Sequence, residues 1–261
     1  MDSNSADTLA VMVRVLDQLA DLPAIQRVRR IARAAMGVRD GQRLLDAGCG
    51  VGEESRQLAR LVGPEGEVTA VDLSRALVAA AEQRDNGSGV RYAVGDIAAL
   101  DFPDATFHAV RSERVIQHVP DADAAIAELV RVTVPGGRVC LIDTDWESVL
   151  MDGMPVGYLP EFARLGREKG LVFKPAGRLL RGQLVRAGLT QVTAEPVAIP
   201  MTDRHTAERL GPFFNRQTFD LVLNAPGELA DAWFGAFDDA LVRNEFLAVL
   251  TIWVVAGTKA P

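Results

Sequence analysis

Cysteine is scarce in this chain, two in 261 residues: Cys49 falls in a glycine-rich turn and Cys140 in an apolar run. Neither belongs to a disulfide framework or to the paired spacing of a zinc site, so we expect a reducing, cytoplasmic compartment and no metal. Long hydrophobic runs are missing too, and no segment approaches the length that crosses a bilayer. The first residues, Met1 to Asp7, have neither a basic stretch nor an apolar core, so no targeting segment is visible and no membrane partner is expected. Excess positive charge is lacking: 28 Lys and Arg stand against 35 Asp and Glu, a net charge of -7. Such a surface is poorly suited to neutralising a phosphate backbone, which argues against nucleic acid as a partner. There is no internal repeat and no low-complexity tract. What remains is an ordinary globular composition, 48% hydrophobic and 24% charged, on a chain long enough to bury a full core.

The most informative stretch is Leu44-Leu45-Asp46-Ala47-Gly48-Cys49-Gly50-Val51-Gly52-Glu53-Glu54-Ser55, read with Val68-Thr69-Ala70-Val71-Asp72-Leu73-Ser74. An apolar run enters a glycine turn and is followed by a helical pattern with Leu58, Ala59, Leu61 and Val62 on one face: strand, turn, helix. A second apolar strand ends in an acid. Glycine lets the backbone approach a ligand closely, and an acid at the next strand's carboxyl end can accept two ribose hydroxyls. A dinucleotide fingerprint needs a further glycine where Glu53 stands. Glu53 and Glu54 suit a helix N-terminus but repel a pyrophosphate, which disfavours NAD.

Asp46, Gly48, Gly50 and Gly52 resemble motif I of the class I S-adenosylmethionine-dependent methyltransferases. Residues 95–107, GDIAALDFPDATF, are similar to that family's stretch after strand three. The segment 115–121, VIQHVPD, resembles the one after strand four in small-molecule enzymes related to the quinone C-methyltransferases, and 130–139, VRVTVPGGRV, resembles their turn before strand five. His108 departs from the family's usual Asp. The resemblance implies S-adenosyl-L-methionine as cofactor, Asp72 as the ribose acid with Leu73 beside it, and Asp96 and Ile97 at the adenine. Gln117 is a further cofactor contact on the same grounds.

From Arg43 onward the pattern alternates: strand 43–47, helix 53–62, strand 67–72, helix 74–84, strands 90–94 and 107–112, helix 121–132, strand 138–144. Alternation of this kind predicts an α/β fold, a Rossmann-like, mostly parallel seven-stranded sheet with helices on both faces. Ligands then sit outside the strands' carboxyl ends, where Asp46, Asp72, Asp96 and residues 112–118 fall. Ahead of the sheet, two amphipathic helices broken at Pro23 either cover the cofactor mouth or pack on the sheet edge. Beyond residue 145 the alternation lapses. Helices are expected over 176–187, 202–225 and 228–243, and strands over 189–199 and 246–257. We read one domain, 1–261: N-terminal helices to 40, a cofactor-binding core over 41–145, then a helical cap with the last strands.

Methyl transfer from a sulfonium needs alignment of the nucleophile, and a base only when the nucleophile arrives protonated. Of the three histidines, His118 is placed for that role, with packing near the cofactor as the alternative. Asp145 and Trp146 follow strand five, where they either hold the acceptor or cap and seal the core. Glu113 and Arg114 read as an internal ion pair, and His205 as a residue of the substrate mouth. Phe213 to Phe237 read mainly as core, with some rings available to wall a pocket for an aromatic or polyketide-like acceptor of secondary metabolism. The expected protein is a monomer or homodimer that methylates O, N or activated C of a small molecule. A cofactor-binding fold that does not methylate is the rival. A macromolecule methyltransferase is disfavoured, because Ser112-Glu113-Arg114-Val115 replaces the element used on exocyclic amines of bases.

Overall fold

The computed structural model describes residues 6–155, 157, 160–162, 164–165, 175–211, 213–223 and 226–261; Tyr158 and Phe173 lie outside them. Two helices, α1 (Ala6–Ala20) and α2 (Pro23–Met36), lead into β1 (Arg43–Ala47), α3 (Glu53–Val62), β2 (Glu67–Asp72), α4 (Arg75–Gln83), β3 (Arg91–Val94) and β4 (Phe107–Glu113). A short 3-10 turn (Ile116–His118) precedes α5 (Ala122–Val132) and the long β5 (Thr133–Asp152). The chain continues through α6 (Ala176–Arg186), β6 (Leu189–Met201), α7 (Arg204–Leu210), α8 (Arg216–Leu223), α9 (Gly227–Val242) and β7 (Leu247–Lys259). The seven strands form one sheet in the order β3-β2-β1-β4-β5-β7-β6. Pairing is parallel from β3 through to β5. The order reverses between β1 and β4, which places the carboxyl ends of those two strands at the crevice where α/β sheets bind ligands.

The chain divides into two compact units. The first holds residues 1–144, 176–197 and 252–261; the second holds 145–175 and 198–251. Strands β1, β4 and β5 of the first are buried on both faces, as the near-continuous apolar runs Leu44-Leu45 and Val139 to Ile142 require. Leu45, Val110, Val139 and Leu141 pack with Ile126 and Leu129 of α5 and with Leu180 and Leu184 of α6. Helix starts are capped as their sequences dictate: Ser74 accepts from the Leu77 N–H and Asp121 from the Ala124 N–H. The second unit is built on rings. Phe162 lies edge-on to Phe219 and Trp233, Phe214 against Phe237 and Phe246, and the Trp233 indole donates to the Phe213 carbonyl at 2.6 Å.

Two expected boundaries differ. The turn read at Pro135-Gly136-Gly137 is a bulge inside β5: Phe107 pairs with Thr133 and Ala109 already with Arg138, so the extra residues stand against His108 alone. A Cβ on Gly137 would come within 2.8 Å of the His108 carbonyl, so this crowded bulge requires glycine there. The helix read over 202–225 is two, because Gly211 turns extended and the Asn215 side chain accepts from the Thr218 N–H to start α8.

Candidate functional site

After β1 the chain turns through Gly48, Gly50 and Gly52, all with positive φ (82°, 55° and 72°). A Cβ on Gly48 would meet Val115 Cγ2 at 2.2 Å, so the turn after β4 packs directly on the glycine turn. The N–H groups of Gly48 and Cys49 donate to the Val71 carbonyl at 2.7 and 2.9 Å, tying the turn to β2. One Asp72 carboxylate oxygen accepts from the Gly50 N–H and the other from the Ser74 N–H, both at 2.9 Å. Burial raises the Asp72 pKa, against the pull of these two N–H donors and with a contribution from Asp46. Leu73 beside it is 73% exposed, a large apolar side chain at the strand end.

The turn opens into a pocket. Gly48, Cys49, Gly50 and Val51 line it on one side, Arg111, Glu113 and Arg114 on another, and Leu16, Ala20 and Arg29 from the leading helices. Helix α2 lies against the central strands β4 and β5, not on the sheet edge. Helix α1 covers the glycine turn, anchored by Arg84 on Asp17 at 2.7 and 3.0 Å. Helix α2 packs on the sheet through Ile25, Val28, Ala32 and Met36, with Arg138 donating to the Ala35 carbonyl.

Beneath the pocket runs a chain of buried charges. Asp46, 1% exposed, accepts from Ser55 at 2.6 Å and from Arg111 at 3.0 Å. Arg111 also binds Glu113, which accepts from Arg29 Nε at 3.0 Å. Arg29 pairs with Glu53, and Arg33 donates to both oxygens of Glu54 at 2.9 and 3.0 Å. Burial opposes ionisation of Glu113, but Arg29, Arg111 and Arg114 outweigh it and hold its pKa at about 2. The carboxylates of α3 that repel a pyrophosphate are thus matched by guanidinium groups of α2. Burial, followed by Asp46 and Asp72, pushes the Cys49 thiol up, so it is inert rather than nucleophilic.

The remaining expected residues divide. Asp96 is exposed, with one oxygen accepting from the Ala98 N–H at 2.8 Å, and Ile97 is 5% exposed. Gln117 donates its N–H to Asp143 at 3.0 Å and its amide to the Arg114 carbonyl at 3.3 Å. His118 is exposed at the end of the 3-10 turn and is not among the residues that line the pocket. Asp145, Trp146 and His205 belong to the second unit. There Asp145 is buried and its carbonyl accepts from Ser148, half-buried Trp146 stands edge-on to Phe213, and His205 is exposed on α7. Among the described residues no group of three or more His, Cys, Asp or Glu is arranged to hold a metal, and no helix is long and apolar enough to cross a membrane.

Sequence reading missed Arg29 and Arg111. The signal for Arg111 was available: it is a cation inside an apolar strand, and Asp46 is its direct register partner on β1. The Glu113–Arg114 pair was expected, but its contact is long, 3.8 Å, and Glu113 is held mainly by Arg29 and Arg111.

Residues 45–141 match the model of the methyltransferase domain family. An uncharacterized 37.1 kDa transposon protein of Streptomyces fradiae is 31% identical over 251 residues, 95% of this chain and 72% of that one. The ubiquinone/menaquinone biosynthesis C-methyltransferase of Pseudomonas paraeruginosa is 29% identical over 183 residues, 63% of this chain and 72% of that one. Among solved structures, a phosphoethanolamine N-methyltransferase of Haemonchus contortus bound to S-adenosylhomocysteine shares the fold. Its TM-score is 0.62 at 19% identity, over 99% of this chain and 59% of that one. With the motifs, the sheet order and these matches in agreement, the chain belongs to the class I S-adenosyl-L-methionine-dependent methyltransferases.

Proposed function

We propose that the protein transfers a methyl group from S-adenosyl-L-methionine to oxygen, nitrogen or activated carbon of a small organic molecule in the cytoplasm. The observation that carries this reading is the Asp72 carboxylate, held against the glycine turn by the Gly50 and Ser74 N–H groups. Two oxygens with one donor each keep lone pairs for a ribose diol. The site fits the cofactor in three further respects. Gly48 and Gly50, both at positive φ, shape a turn whose backbone can approach a ligand closely. Exposed Leu73 offers apolar surface to a purine, and the Ile97 backbone is proposed to meet its ring nitrogen. Asp96 retains an oxygen for an exocyclic amine.

When bound, the cofactor supplies an electrophilic methyl on a sulfonium, so the protein's part is to orient, exclude water and handle one proton. Leu16 and Ala20 of α1 close the pocket roof and keep water out. Gln117, whose backbone N–H donates to Asp143 and whose amide donates to the Arg114 carbonyl, is proposed as a further cofactor contact. His118 is proposed as the base that takes the proton of an acceptor arriving as a phenol or amine. Asp145, Trp146 and His205 are proposed acceptor contacts, the acid for orientation and the indole for an apolar wall.

The test is calorimetric titration with S-adenosyl-L-methionine and S-adenosylhomocysteine, followed by a radiolabelled-methyl screen over phenols, quinones, amines and polyketide-like acids. Binding with label transfer is expected. Binding with no transfer across the screen would favour a non-methylating use of the fold, and no binding would overturn the reading.

A further inference from the structure

Arg114 differs from every other cation at the pocket. Arg29 has carboxylate oxygens of Glu113 and Glu53 within hydrogen-bond distance, Arg111 those of Asp46 and Glu113, and Arg33 both oxygens of Glu54. Among the described residues Arg114 has one ion-pair contact, 3.8 Å to Glu113, and its buried Nε has no hydrogen-bond partner. Arg111 also leaves Nε unpaired, but both of its terminal nitrogens are engaged. The backbone holds Arg114 in place at a cost: φ is +57°, in the left-handed region that residues other than glycine seldom occupy. Its N–H donates to the Ile142 carbonyl at 2.7 Å, its own carbonyl accepts from Gln117, and the next residue, Val115, packs on Gly48. These contacts fix the Arg114 backbone beside the glycine turn, and the residue lines the pocket that the turn opens.

We infer that Arg114 anchors a carboxylate in this pocket, that of the cofactor's amino-acid end. The guanidinium fork matches a planar carboxylate, with two parallel N–H donors for two oxygens. A phosphate or other multiply charged anion is disfavoured, because Asp46, Glu53, Glu54 and Glu113 line the same space. A zwitterion suits it: one spare cation for the carboxylate, surrounded by acids that favour an ammonium. Burial lowers the Arg114 pKa, partly offset by Glu113 and reinforced by Arg29, as a cation short of counter-charge requires. An acceptor acid would offer the same chemistry, but the position beside Gly48 and Gly50 favours the cofactor. The inference rests on the proposed function, and its test separates the two.

The test compares S-adenosylhomocysteine with 5′-deoxy-5′-methylthioadenosine, the same nucleoside thioether without the amino-acid end, by calorimetry on the full chain. Arg114→Gln should weaken S-adenosylhomocysteine about tenfold or more while leaving the truncated nucleoside within about twofold, as loss of a charge-assisted bidentate contact predicts. Arg114→Gly, which relieves the positive φ, should fold at least as well and show the same selective loss. Equal weakening of both ligands in both variants would overturn the inference, since the loss would not follow the carboxylate. If S-adenosylhomocysteine is unaffected, benzoate is titrated into the S-adenosylhomocysteine-saturated protein. Arg114-dependent benzoate binding would move the carboxylate to the acceptor, and its absence would overturn the anchor altogether. Wild-type protein that binds neither nucleoside would overturn the proposed function itself, and the anchor with it.

Discussion

Arg111 of β4 and Trp233 of α9 are both large side chains with almost no exposure, 2% and 0%, and their surroundings have little in common. Arg111 sits between two carboxylates, in line with Ser55, Arg29 and Glu54. Trp233 sits among Phe162 and Phe214, with one hydrogen bond to the Phe213 carbonyl. Burying charge is costly, and a chain of pairs repays the cost only while every member keeps its partners. Packed rings are less directional, and a smaller ring forfeits area rather than exposing a charge. The first unit therefore has its strictest requirements beside the glycine turn, and the second tolerates substitution in its core. This fits a division in which a polar ligand site needs ionic groups close by.

The largest effect should come from removing one member of the ionic chain. Arg111→Ala leaves the Asp46 and Glu113 carboxylates buried without their shared guanidinium, and urea denaturation should show a loss of about 3–5 kcal/mol. Trp233→Phe keeps most of the ring but strips the buried Phe213 carbonyl of its donor, and should cost about 1–3 kcal/mol in the same assay. If Trp233→Phe proves the more damaging, the contrast between the two units is wrong. Asp72→Ala sharpens the comparison by separating ligand from fold. S-adenosylhomocysteine affinity should fall by about 1–3 kcal/mol through lost charge-assisted hydrogen bonds. Unchanged affinity by calorimetry would remove Asp72 from the ribose role.

How legible each region was follows from the range of the interactions that make it. Strands β1 and β2 and helix α3 fall on their predicted bounds because apolar runs, glycines and helix starts are local signals. The Pro-Gly-Gly segment was legible as an irregularity but not as a bulge, since that depends on the register with His108 across the sheet. The break at Gly211 was legible in the Gly211-Pro212 dipeptide, a turn signal outweighed in the reading by the apolar residues on either side. Asp46 read only as a motif residue, because its partner Arg111 lies 65 positions away and becomes visible once β1 and β4 are laid side by side. The ring core of the second unit was readable as core from helical spacing. Which rings touch was not, since edge-on and stacked contacts depend on how several helices meet.

The smallest expected effect is a pH dependence, and it has opposite signs at two carboxylates of the first unit. Glu113 has its pKa lowered to about 2 by its arginines, so the stability it contributes is complete above its unfolded value of 4.5 and is lost as pH falls toward 2. Asp143 has its pKa raised to about 7 by burial, despite N–H donors from Gln117 and Thr144. A raised carboxyl pKa means that the folded state holds a proton the unfolded chain has released, so the stability it contributes is complete below the unfolded value of 3.8 and is lost as pH rises from there through about 7. From pH 6 to 8 the loss from Asp143 alone should be about 1 kcal/mol. Thermal midpoints should therefore peak at about pH 4, where the two titrations balance, and decline on both sides. Asp143→Asn should flatten the alkaline limb and leave the acid limb, while Glu113→Gln should remove the acid limb at a lower overall stability. An alkaline limb that survives in Asp143→Asn would show that the proton is held elsewhere, with Asp72 and Glu54, whose pKa values burial also raises, as the next residues to vary.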